Sequence, residues 1–171
     1  MTSRLPEPSG RTDDTKALFV EYLDFYRSTV EQKLAGLTET QLRDSLLPSG
    51  WTPIELLKHL VFMERRWLRW GFAAEPVPDP WGDNDGEGHW HVGPDESLEE
   101  LLSALREGGQ QTTRIVRAAD LDAPSRVGGR FESAEEAPAL VWVLFHVLQE
   151  YARHAGHLDI ARELTDGATG E

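Results

Sequence analysis

Cysteine is absent from all 171 residues, which excludes disulfides, thiolate metal ligands and a nucleophilic thiol carried by the chain itself. Any thiol chemistry here has to use a thiol supplied from outside. Basic residues are also scarce, with 17 Lys and Arg against 30 Asp and Glu and a formal charge of −13. That balance argues against the broad basic footprint a nucleic acid requires, so no nucleic-acid partner is expected. No uncharged apolar run approaches the roughly 18 residues of a membrane span, so no membrane partner is expected either. The opening MTSRLPEPSGRTDD lacks the apolar stretch of a secretory signal, and the expected location is the cytoplasm. What is present is ordinary for a globular protein: 39% hydrophobic and 27% charged residues, too apolar for disorder. The length fits one domain.

Residues 1–12 hold two prolines, a glycine and no periodicity and are expected to form a flexible tail, as are residues 166–171, leaving a single domain at 13–165. From Asp13 to Leu37 the residues Leu18, Tyr22, Phe25, Tyr26, Val30 and Leu34 recur every three or four positions, one stripe of an amphipathic helix. Thr38 and Gln41 have capping-box spacing and predict a short helical turn, closed by Pro48-Ser49-Gly50. Thr52, Pro53 and Glu55 mark the next helix start, which runs to about Phe72. Ser97 and Glu100 open a third helix to Ala119, with Gly108-Gly109 expected to weaken or kink it at about 1 kcal/mol per glycine. A last helix is expected from Ala134 to Leu164, with Pro138 in its first turn. The connection at 74–96 is long for a compact domain, and such segments tend to be functional or disordered. The pattern predicts an all-α four-helix bundle with a long crossover between helices two and three.

The last helix carries His146, Glu150, His154 and His157. At about 100° per residue these lie within a sector of about 80°, beside an apolar stripe of Val143, Leu144, Val147, Tyr151, Ala155 and Leu158. Glu150 and His154 are four residues apart, close enough to share one ion. On the second helix His59 lies between Leu56 and Met63, also near an apolar face. Two histidines and one carboxylate would leave positions for water or substrate, the open arrangement of a catalytic zinc, although other divalent metals accept the same ligands. Each element also has a plainer reading. A histidine beside an apolar stripe can be a hydrogen-bonded core residue, and a Glu/His pair at this spacing can be a solvated surface pair.

The stretch Gly50-Trp51-Thr52-Pro53-Ile54-Glu55-Leu56-Leu57-Lys58-His59-Leu60 resembles the start of the second helix in the DinB/YfiT-like superfamily. Glu150-Tyr151-Ala152-Arg153-His154-Ala155-Gly156-His157-Leu158-Asp159 is similar to its last-helix motif, and the resemblance covers nearly the whole chain. Members are four-helix bundles holding a divalent metal on three side chains, many with a His-x3-His pair in the last helix. Glu150 here replaces the first of that pair, as in the mycothiol-dependent maleylpyruvate isomerase branch. Actinobacterial relatives of no assigned function share this pattern. The resemblance implies His59, Glu150 and His154 as metal ligands, with Zn2+ preferred and Ni2+ or Fe2+ as alternatives. It also implies mycothiol or another low-molecular-weight thiol as cofactor, and, by analogy, a homodimer.

His157 stands where many relatives carry glutamine, so it is read as supporting the ligands or facing substrate. His146 is read either as such a support or as a core histidine. His89 and His91, on the long connection, are read as surface residues, with cover over the site as the alternative, and Trp67, Trp70 and Trp142 are expected in the core rather than in a ligand cage. Arg153, Arg65 and Arg66 are candidates for a carboxylate on cofactor or substrate, with surface salt bridging as the alternative for each.

The function expected from the resemblance is a thiol transferase or thiol-dependent isomerase, in which a metal activates a small thiol to attack a small electrophile. Two alternatives stand beside it: a hydrolase using metal-bound water, and a non-enzymatic stress or interaction bundle stabilised by its metal.

Overall fold

The computed structural model of the chain describes residues 5–169. Of the expected tails, residues 1–4 and 170–171 lie outside the described residues. The fold is all-α. Five α-helices are α1 (Thr15–Leu34), α2 (Glu39–Arg43), α3 (Pro53–Glu64), α4 (Leu98–Ala118) and α5 (Leu140–Asp166), and α3 continues into a π-helical segment, Arg65–Phe72.

Side chains start most of these helices by taking up the first unpaired amides. The Asp14 carboxylate accepts from the backbone N–H groups of Lys16 and Ala17. Reciprocal capping boxes join Thr38 to Gln41, Thr52 to Glu55 and Ser97 to Glu100. Gly167 ends α5 in the left-handed conformation at φ 75°. α1 packs on α4 and α5, and α3 packs on α4 and α5 as well, so each long helix buries one stripe against two others. The core includes Leu23, Val30, Leu56, Leu60, Leu105, Val143, Leu144, Val147 and Leu158. All six apolar positions expected on the last helix are buried.

Two local expectations are corrected. α5 begins at Leu140 rather than Ala134, because the chain at Pro138 and Ala139 is extended and pairs with the preceding connection. The Leu140 and Val141 amides donate to the carbonyls of Ala123 and Leu121 at 2.9 and 2.8 Å, doing the work of a side-chain cap. α4 runs unbroken through Gly108-Gly109. A Cβ at Gly109 would lie 2.8 Å from Arg27 Nε, so this glycine lets a guanidinium lie against the helix. The 74–96 connection, expected to be functional or disordered, has structure of its own. Asn84 and Trp90 form an antiparallel bridge, with Asp85 N donating to His89 O and His91 N to Asp83 O, both at 2.8 Å.

Arg27 on α1 reaches Glu64 on α3, which also accepts from Thr112 on α4 and from the Tyr151 hydroxyl on α5 at 2.6 Å. All four side chains are buried. Burial works to raise the Glu64 pKa, but the charge of Arg27 and the three sets of hydrogen bonds outweigh it and hold the carboxyl below its ordinary value. One ionised carboxylate thus ties the four long helices together, and its partner on α5, Tyr151, is the residue next to Glu150.

Candidate metal centre

α3 and α5 bring His59, Glu150 and His154 to one point. One ligand-type atom from each lies within 4.8 Å of the others. His154 Nε2 is 3.2 Å from Glu150 Oε2, and His59 Nε2 is 3.8 Å from the same oxygen. The imidazoles of His59 and His154 meet edge to face, with centroids 5.0 Å apart. His154 is buried, and the other two are only partly exposed. The residues picked out from two distant stretches of sequence therefore do converge.

The long connection supplies what fixes them. His59 Nδ1 lies 3.1 Å from Oδ2 of Asp83, which is fully buried. Burial pushes the Asp83 carboxyl up, but hydrogen bonds from His59 and Arg66 and the Arg66 charge bring it below its ordinary value. An ionised Asp83 only accepts, so His59 Nδ1 donates to it and Nε2 is the nitrogen left facing Glu150 and available to an ion. A carboxylate behind a histidine in this way is the usual support of a metal-ligating imidazole. Two imidazole nitrogens and one carboxylate, with one tautomer already set, fit a divalent ion that prefers nitrogen and oxygen ligands.

Arg66 is committed to that support. It is buried, donates to both Asp83 oxygens at 2.5 and 3.0 Å, and also donates to the Pro80 carbonyl at 3.0 Å. The expectation that it binds a substrate carboxylate or forms a surface salt bridge is corrected, since its partner is an internal aspartate. Arg65 stacks on Phe62 at 4.0 Å and donates to the Asp79 carbonyl. Arg153 is exposed on α5.

Trp90 covers the site from the same hairpin. Its indole stacks on His59 with centroids 4.3 Å apart and meets His154 edge-on at 5.3 Å. His89 and His91 on either side are exposed, as expected. His157 Nδ1 lies 3.2 Å from His154 Nδ1, and its ring faces Trp51 at 6.0 Å. His146 sits between Trp67 at 4.2 Å and Trp142 at 5.5 Å, with Nε2 3.9 Å from Glu150 Oε1. Trp67 and Trp70 are partly buried, whereas Trp142 is 51% exposed and is no core residue. It stands at the solvent end of this stack because α5 turns its side chain past the edge of the packed face. Asp83 and Trp90 went unnoticed in the sequence, where no helical period marks them; the only signal was the length of their connection.

A family model described as mycothiol S-transferase matches residues 18–167. The chain belongs to that family. The match spans α1 through α5 and bears out the resemblance to the mycothiol-associated branch of DinB/YfiT-like proteins. Comparison with curated proteins gives no match. In this chain the centre brings together two histidines and a glutamate, with no cysteine anywhere in the sequence. No helix among the described residues is long and apolar enough to cross a membrane.

Burial, then the nearby His59 and His157, press the His154 pKa down to about 4 against the pull of Glu150. Burial lowers that of His146 as well. An unfolded histidine titrates near 6.5, so between about pH 6.5 and 4 the unfolded chain takes up protons that the folded chain refuses. Stability of the metal-free protein is therefore full above about pH 6.5 and falls as the pH drops through that window, by at most about 1.4 kcal/mol per unit for each group. Thermal melts of chelator-treated protein at pH 7 and 5 should show the loss, and His154→Gln should reduce it. Equal melting temperatures would contradict this reading of the buried imidazole.

Proposed function

We propose that this chain is a divalent-metal-dependent thiol transferase or thiol-dependent isomerase that uses a mycothiol-class thiol against a small electrophile. The observation that carries it is the convergence of His59, Glu150 and His154 in a member of the mycothiol S-transferase family that has no cysteine of its own. The fold that serves this reading is a four-helix bundle of DinB/YfiT type, built from α1, α3 with its π-helical end, α4 and α5. We take the protein to act in the cytoplasm, as a dimer by analogy.

His59, Glu150 and His154 would hold the ion, with zinc preferred by the donor set and Ni2+ or Fe2+ as alternatives. When bound, the ion supplies a Lewis acid that lowers a thiol's pKa from about 8.5 toward neutrality. Asp83 holds His59 in the tautomer that ligates, and Arg66 holds Asp83. Trp90 excludes water from the His59 side. His157, whose Nδ1 lies beside His154 Nδ1, orients that ligand, and Arg153 offers an exposed guanidinium to an acidic group on the thiol or its partner. The thiol sulfur then bonds to the electrophilic carbon while the leaving group departs with its electron pair.

The test is turnover of an activated aryl halide by purified protein with and without mycothiol. Product formation should need both protein and thiol. Full activity without thiol would favour hydrolysis by bound water, and no turnover with intact metal would favour a structural role.

A further inference from the structure

Beside the metal centre lies an open cleft of about 450 Å³, lined by Ser49, Gly50, Trp51, Glu55, Gly88, His89 and Trp90. Its size is that of a small-ligand site. Two indoles stand in its wall with centroids 6.3 Å apart. Each also touches the centre: Trp90 stacks on His59, and Trp51 faces His157. The cleft and the centre therefore share a wall.

Its chemistry is mixed in a particular way. Gly50 and Gly88 adopt left-handed backbone at φ 80° and 88°, and a Cβ on either would meet nothing within 4 Å. Backbone conformation, not crowding, calls for these glycines, and they leave the cleft wide. Glu55 Oε2 accepts from the Thr52 amide and hydroxyl, both at 2.9 Å, which leaves Oε1 as an acceptor beside the indoles. Ser49 and His89 add a hydroxyl and an imidazole at the margin. A bare apolar ring would cover these polar groups without pairing them, at a desolvation cost. A polyhydroxylated ring offers a C–H face to an indole and hydroxyls to the margin, so it satisfies both.

We propose that this cleft binds the sugar–cyclitol portion of the thiol substrate, with Trp51 as the stacking platform and Glu55 as a hydroxyl or ammonium acceptor. This rests on the reading that the thiol is of the mycothiol class, whose cysteine is carried on a glucosaminyl-inositol unit. The cleft then holds the carrier while the sulfur arm turns past Trp90 toward His59 and His154.

The probe is thiol-free glucosaminyl-inositol, titrated into the protein as purified and into a chelator-treated sample. Binding is followed by tryptophan fluorescence and by saturation-transfer NMR. Saturable binding is expected in both samples. Trp51→Leu, which keeps apolar bulk ahead of the α3 cap, should weaken it about tenfold, whereas Trp51→Phe should retain most of it. Metal content should be the same in all three proteins. Lack of saturable binding in the millimolar range, or equal affinity of Trp51→Leu, would overturn the proposal. So would displacement of an aromatic electrophile, but not of the sugar, by substitution at Trp51. If the probe binds but the protein holds no metal, the metal-based function fails and the cleft assignment survives. If thiol-dependent turnover is found without probe binding, the reverse holds.

Discussion

Protein purified without chelator should carry close to one divalent ion per chain, and His154→Ala or Glu150→Ala should each reduce this to a small fraction. The three ligand atoms already lie within 4.8 Å of one another, so little reorganisation opposes binding. Removing one of three protein ligands leaves a two-ligand site that competes poorly with water and buffer. Neither substitution touches the Arg27–Glu64 network, so the variants should keep their helical circular dichroism, which separates loss of the ion from loss of the fold. Asp83→Asn should have a smaller effect of the same sign. It leaves the ligands in place but no longer fixes the His59 tautomer, and changes of that kind cost about 10- to 100-fold in metal affinity. Elemental analysis of the wild type and the three variants, together with a competition titration, gives the ranking. A wild type without metal, or variants that retain it fully, would remove the ground for a metal-based function.

The largest loss of stability should follow substitution of Glu64. Glu64→Gln keeps the size of the side chain but leaves Arg27, which is 5% exposed, with no counter-charge other than the exposed Asp24. Breaking one side of a buried ion pair costs about 3–5 kcal/mol, a large share of the roughly 5–15 kcal/mol that holds a typical domain together. Tyr151 and Thr112 also lose a charged acceptor, and both are buried. Replacing both partners, as in Arg27→Met with Glu64→Leu, should recover much of the loss, because no unpaired charge then remains. Urea unfolding of the single and double variants measures this. A single variant within about 1 kcal/mol of wild type would mean that the network is better solvated than its burial indicates.

The difference between what was and was not readable from the sequence follows from the range of the interactions involved. Capping boxes are local, involving residues three apart, so Thr38, Thr52 and Ser97 marked their helices correctly. The stripe on the last helix is also periodic, and it carried Glu150 and His154 onto the inward face together with Val147, Tyr151 and Leu158. His59 could be placed near an apolar face and suggested by residue type as a third ligand, but no spacing rule reaches residues about ninety positions away, and the resemblance supplied the assignment. Asp83, Arg66 and Trp90 belong to no period. Their roles come from a hairpin folding back over α3, which depends on tertiary contacts rather than on spacing. The start of α5 was misplaced for a similar reason. Ala134 to Ala137 suit a helix locally, yet Pro138 and the pairing with Leu121 to Ser125 draw the backbone into an extended path. Gly109 was counted as a cost to α4, whereas its purpose appears only when Arg27 arrives from α1.

X-ray absorption at the metal edge, before and after addition of mycothiol, puts the most direct question to the centre. An ion held by His59, Glu150 and His154 with one place open should show only nitrogen and oxygen neighbours at about 2.0–2.2 Å at first. One sulfur neighbour near 2.3 Å should appear with the thiol. A spectrum that gains no sulfur, or an ion still bound after His59, Glu150 and His154 have all been replaced, would contradict the assignment.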